Sequence, residues 1–144
     1  MKLFQILMAA LLLVFAGSAL GGVTIVNLEE GDTVNAKTFT IVAKAEGLCA
    51  PGRHMTHIIG VTNNWTGEVT EAFVTAGGTS SMYGLEVIMP KPSRIYSLCD
   101  NGKWTIVARV GEIAAPDTSL TLRIEVKNDF TGEVAEEFIN VVTK

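Results

Sequence analysis

Few of the groups on which catalysis or metal chemistry is usually built occur in this chain. Its 144 residues hold two cysteines, two histidines and four prolines. There is no Cys-x-x-Cys pair and no histidine-rich tract, the arrangements that hold zinc or copper. No Gly-x-Ser-x-Gly elbow occurs, and the serines cluster in turns such as Thr79-Ser80-Ser81. No dense Asp-x-Asp loop offers a calcium site. The carboxylates of Glu29-Glu30 and of Glu133, Glu136 and Glu137 fall at turns and on solvent faces, not as a facing acid pair. Cations are outnumbered, with 11 Lys and Arg against 15 Asp and Glu. Such a balance has no footprint for nucleic acid or anionic lipid. Past residue 22 no apolar stretch approaches the ~20 residues of a membrane span. These absences point away from an enzyme, and no cofactor is expected.

What is present begins with Lys2, an apolar run from Leu3 to Ala16, and the small residues Gly17, Ser18, Ala19, Gly21 and Gly22. This is the layout of a secretory signal peptide, and cleavage is expected between Ala19 and Gly22. No cysteine at the junction would take a lipid, and no hydrophobic tail closes the chain. The reading is a signal peptide over 1–21 and one domain over 22–144. Lys2 is the leader's only charge, so the remainder carries ten basic and 15 acidic side chains, a net −5. Secretion, to the periplasm, the cell surface or the medium, is the expected destination.

After Gly22 the pattern is alternation. Phe39, Ile41, Ala43 and Ala45 share one face, Trp104, Ile106, Ala108 and Val110 another, and Leu120, Leu122, Ile124 and Val126 a third. A period of two with one polar face predicts antiparallel strands, buried on one side. The expected strands run over 23–28, 38–46, 55–62, 69–75, 82–89, 103–110, 119–127 and 134–142. Turn chemistry separates them at Gly31-Asp32, Asn63-Asn64, Gly77-Gly78, Pro90-Lys91-Pro92, Asp100-Asn101-Gly102 and Pro116-Asp117. No segment after the leader shows helical periodicity. Short strands at this spacing predict a β-sandwich.

One internal echo stands out. Trp65-Thr66-Gly67-Glu68-Val69, followed by Glu71 and Phe73, returns as Phe130-Thr131-Gly132-Glu133-Val134, followed by Glu136 and Phe138. Two hairpins with one turn type are predicted, Gly67 and Gly132 supplying a positive φ. The turn aromatics are expected to cap the core end, the alternative being a paired binding tip. The flanks are read as unmatched, so no repeat architecture is expected.

Asp100-Asn101-Gly102-Lys103-Trp104, leading into Thr105 to Ala108, resembles the penultimate strand of immunoglobulin-like domains. The opening Val23-Thr24-Ile25, Glu30 to Val34 and Phe39 to Ala43 resembles the first two strands of bacterial Ig-like modules, features shared with fibronectin type III sandwiches. The resemblance implies an all-β, Ig-like antiparallel sandwich of about seven or eight strands. An even cysteine count in an exported chain predicts a Cys49–Cys99 disulfide, stabilising by about 4 kcal/mol. The implied topology competes with it. Cys49 follows the second strand and Cys99 precedes the sixth, which would set them at opposite ends of the sandwich.

The functional expectation is a non-enzymatic module with a binding or structural role, its partner a protein or a surface polysaccharide. Loops at one end would carry recognition. Two segments are singled out, Gly47 to His57 with Arg53 and His57, and Pro90 to Lys103 with Arg94, Tyr96 and Asp100. Asn64-Trp65-Thr66 fits a glycosylation sequon in a host that glycosylates exported chains. Two other readings compete. Val23 to Val26 or Phe138 to Val142 could add to a neighbour's sheet edge, making a filament subunit or other homo-oligomer. Alternatively, His54 and His57 could serve a small periplasmic copper-binding protein. On a strand, however, two residues three apart face opposite ways, so no metal site is expected from them.

Overall fold

The computed structural model describes residues 22–48 and 55–144. Two sheets face each other. The first has four strands in the order β1 (Gly22–Ile25), β3 (Phe39–Glu46), β8 (Lys103–Val110) and β7 (Leu85–Met89). The second has six, in the order β2 (Thr33–Val34), β10 (Val134–Thr143), β9 (Ser119–Asn128), β4 (Met55–Asn63), β5 (Val69–Thr75) and β6 (Gly78–Ser81). All pairings are antiparallel except β2 with β10.

Taken in chain order, these strands reproduce the variable-type immunoglobulin sandwich. The first, second, seventh and sixth of its nine strands form one sheet, and the ninth, eighth, third, fourth and fifth form the other. The short β2, lying parallel to β10, is an addition at one edge. The fold is therefore an all-β, Ig-like sandwich, as the alternation and the resemblance implied.

Alternation predicted the buried faces correctly. Ile41, Ala43 and Ala45 on β3, Ile106, Ala108 and Val110 on β8, and Leu120, Leu122, Ile124 and Val126 on β9 all lie in the core. They meet Ile59, Val61, Ala72, Val74, Ile139 and Val141 from the same two layers. The burial of this apolar area is the main force holding the sheets together.

Three expectations are corrected. The strand expected over 82–89 starts only at Leu85, as β7, and is preceded by an unexpected strand, β6, on the other sheet. Between them Gly84 takes φ +90°, and Leu85 N–H donates to the Met82 carbonyl (3.2 Å), a turn that moves the chain across the sandwich. Residues 92–101 form a 3₁₀ turn (Pro92–Ser97) and one helical turn, α1 (Leu98–Asn101), too short for any 3.6-residue period to show in the sequence. The segment 100–108 opens β8, which is third from last and stands beside β3, so it is not the penultimate strand.

This last correction removes the competition over the cysteines. β3 and β8 run antiparallel, Glu46 opposite Lys103, so the exit of one meets the entry of the other. Gly47 N–H donates to the Gly102 carbonyl (3.1 Å) at that end. The chain thus leaves β3 beside the segment that holds Cys99. Cys49 lies outside the described residues, as do His54, Arg53 and the leader. No cysteine among the described residues is free.

Both terminal strands belong to the chain's own sheets. Gly22 to Ile25 pair with β3, and β10 is paired along its length with β9. The free edge of β10 is also covered near its end. The Glu30 carboxylate accepts from Asn140 N–H (2.8 Å) and Asn140 Nδ2 (3.0 Å), and Asp32 C=O accepts from Val142 N–H (2.9 Å). Those two bonds from Asn140 hold the Glu30 carboxyl below its ordinary pKa.

Candidate functional site

The predicted echo is a matched pair of hairpins. In the first, the Asn63 side-chain oxygen accepts from Trp65 N–H (2.9 Å) and Thr66 N–H (3.2 Å), and Gly67 N–H donates to the Asn63 carbonyl (2.7 Å). In the second, Asn128 makes the same bonds to Phe130 (2.9 Å), Thr131 (3.1 Å) and Gly132 (2.8 Å). Gly67 and Gly132 take φ of +76° and +81°, as the sequence predicted. An asparagine side chain closing its own turn is a local motif that needs nothing from its neighbours.

The equivalence extends well past the turn. The pair His57 and Val74 on β4 and β5 corresponds to Leu122 and Ile139 on β9 and β10, with register preserved. β4 and β9 are adjacent, and Ile59 faces Ile124, its own counterpart. The four central strands of the large sheet are therefore two hairpins related by a pseudo-two-fold axis through that pair. Of the 21 positions from Met55 to Thr75, ten are identical to their counterparts. Six of the ten lie in the echo itself, and the other four, Thr56, Ile59, Val61 and Asn63, extend the match back along β4 and β9.

The turn aromatics do not cap the core. Trp65 is 76 % exposed and Phe130 69 %, at opposite ends of the sheet. The Asn clamps complete the turns without them, which is the signal that could have ranked the tip reading first.

The described parts of the two singled-out segments lie at one end of the sandwich. Gly47 and Gly102 are joined by their hydrogen bond, the 3₁₀ turn lies against β5, and the Asn128 turn follows directly on the strand end opposite Met55. Ile95, fully buried, anchors the 3₁₀ turn to the core. Arg94, Tyr96 and Asp100 around it are exposed. These three are brought to one end, together with Phe130, which the sequence argument had not counted among the binding residues.

His57 stands apart from them. It is wholly buried, and its Nε2 accepts from Trp104 Nε1 (2.9 Å), the rings meeting edge to face with centroids 5.9 Å apart. Its Nδ1 has no hydrogen-bond partner of normal geometry. Burial pushes the imidazole pKa down to about 4, against a smaller upward pull from the Val74 carbonyl. The residue is a neutral link between the sheets, and it is not presented to a ligand or a metal ion. Among the described residues no group of three His, Cys, Asp or Glu could hold a metal.

Asn64 lies in the exposed Trp65 turn, as the sequon required, with Nδ2 donating to Ser119 Oγ (3.0 Å). A concavity of about 460 Å³ lies on the small sheet at the loop end, opposite the Trp65 turn, between Lys44, Glu46, Lys103 and Trp104. Lys103 and Glu46 form an exposed ion pair across it (3.7 Å).

No protein-family model matches the chain. No curated protein matches it either. Among solved structures, it is similar to a β-glucuronidase of glycoside hydrolase family 2, at 12 % identity and a TM-score of 0.39. That match covers 87 % of this chain but 11 % of the enzyme. It is also similar to the ASH/PapD-like domain 7 of human CEP192, at 8 % identity and a TM-score of 0.40, covering 88 % of this chain and 85 % of that one. The fold assignment rests on the strand order itself.

Proposed function

We propose that the protein is an exported, non-enzymatic Ig-like module that binds a protein or surface polysaccharide through the loops at one end of its sandwich. The observation that carries the reading is the grouping of Arg94, Tyr96 and Asp100 with Phe130 at that end, on supports fixed by Ile95 and by the Asn128 clamp. Exposed aromatics at the same end as a guanidinium and a carboxylate suit a contact surface. They form no nucleophile–base pair, so binding is favoured over catalysis. The leader-like start supports export. A Cys49–Cys99 bridge fits the meeting of β3 and β8 at this end and would tie the 3₁₀ segment down beside it.

A photo-reactive residue placed at 96 tests the site, with one at position 65, at the far end, as control. Cross-links to one partner from 96 and none from 65 are expected on the surface of the producing cell. Cross-links confined to 65, or none from either, would overturn the loop-end reading.

A further inference from the structure

The outer face of the six-stranded sheet has a composition unlike the rest of the molecule. The face and its two turns carry Glu68, Glu71, Glu125, Asp129, Glu133 and Glu136 against Arg123 and Lys127. That net −4 is most of the −5 carried by residues 22–144. Val69, Phe73, Met82, Val134, Phe138 and Val142, half of the exposed large hydrophobics among the described residues, also lie there.

The paired hairpins supply an internal comparison. On β5 and β10 the inward residues differ between the copies: Thr70 with Ala135, Ala72 with Glu137, Val74 with Ile139. Of the outward ones, Val69, Glu71 and Phe73 equal Val134, Glu136 and Phe138, while Thr75 differs from Asn140. Packing would favour the reverse, since cores constrain side chains and solvent faces do not.

One copy shows what the outward stripe can do. Arg123 donates to Glu125 (2.7 Å) and also sits against the stripe, with Nε 3.5 Å from Glu136 Oε2 and its guanidinium carbon 5.9 Å from the Phe138 ring centre. A carboxylate and an aromatic face together make a good seat for a guanidinium. In the other copy the counterpart of Arg123 is Ile58, and that of Glu125 is Gly60. There Glu71 and Phe73 keep the same registers beside a strand that supplies no cation. Gly60 puts no side chain beside Glu71, though its own position is buried, with Cβ of Arg123 and Cγ of Glu71 each 3.8 Å from where a Cβ would stand.

We infer that this face docks a protein partner through an arginine seated on Glu71 and Phe73 beside Ile58, with apolar neighbours against Val69 and Met82. Charge complementarity selects the occupant. A second copy would set −4 against −4, whereas a basic, apolar segment meets the acid it lacks. The inference concerns the sheet face and not the loop end, so cross-linking from position 96 and binding at Glu71 can fail separately.

The test is an amide NMR titration of residues 22–144 with a synthetic Val-Arg-Val-Arg-Val-Arg peptide, against the same peptide carrying Gln for Arg. Shifts at Ile58, Gly60, Glu71 and Phe73, with one peptide per chain, are expected. Glu71→Gln and Phe73→Ala should each weaken binding about ten-fold. Ile58→Arg, which copies Arg123, should fill the seat and abolish binding, while Arg123→Ile should open a second seat and raise the stoichiometry to two. The amide spectrum of each variant shows whether it is folded. No shift on this face at millimolar peptide, equal binding of the Gln peptide, or a wild-type affinity in Ile58→Arg would overturn the inference. A concentration-dependent dimer burying Phe73 and Phe138 would overturn the choice of occupant.

Discussion

His57 is the residue whose environment departs furthest from what its type suggests. In the unfolded chain it would titrate near ~6.5, and in the fold it resists protonation down to about 4. Protonation would also cost Nε2 its bond from Trp104, since an imidazolium cannot accept. The unfolded state therefore binds more protons between these values, and stability falls as pH drops through that window. The loss should total about 3 kcal/mol by pH 4, on top of any carboxylate contribution. Denaturant titrations from pH 7 to 4 should show it. His57→Leu, which installs the residue of the matching position Leu122, should flatten this part of the slope. It should also cost about 1–3 kcal/mol at pH 7, because Trp104 Nε1 loses its acceptor. Gly84 stands where only glycine fits. An added Cβ would strike the Ile113 side chain, and the backbone there has φ +90°. Gly84→Ala should destabilise by about 2–4 kcal/mol in thermal or denaturant unfolding. Adding Ile113→Ala should return only part of that, since the backbone penalty stays.

Among elements, the two hairpins should respond alike because they are built alike. Asn63→Ala and Asn128→Ala each remove two hydrogen bonds that close the turn, and each should lower the unfolding free energy by about 1–2 kcal/mol. Trp65→Ala and Phe130→Ala remove mostly exposed rings and should change it by less than about 0.5 kcal/mol. A large loss for either aromatic would restore the capping role that the sequence suggested. The strands themselves were largely legible. Alternation placed the faces of β3, β8 and β9, because one wet face and one dry face leave a period-two signature. What stayed hidden had no local signature. The break between β6 and β7 depends on one left-handed glycine, and α1 is a single turn. The pairing of β8 with β3 is a long-range choice that sequence periodicity does not encode. For the site, Arg94, Tyr96 and Asp100 were correctly placed in an exposed segment. His57 was not, since its apolar strand neighbours Met55 and Ile59 were weighed less than its chemistry.

At the scale of the whole molecule the proposal is an exported Ig-like sandwich whose loop end a Cys49–Cys99 disulfide would close, with two surfaces of different character. If Cys49 and Cys99 are bridged, Cys99→Ser should lower stability by about 4 kcal/mol, the chain-entropy value for a loop of ~50 residues. The same loss should follow reduction of the wild type. Intact mass spectrometry of the protein recovered outside the producing cells, with thiol alkylation before and after reduction, tests this description most directly. The expected result is a chain beginning between Leu20 and Gly22 that takes up alkylating reagent at two positions only after reduction. A chain that keeps Met1, or one that is alkylated at both cysteines before reduction, would contradict it.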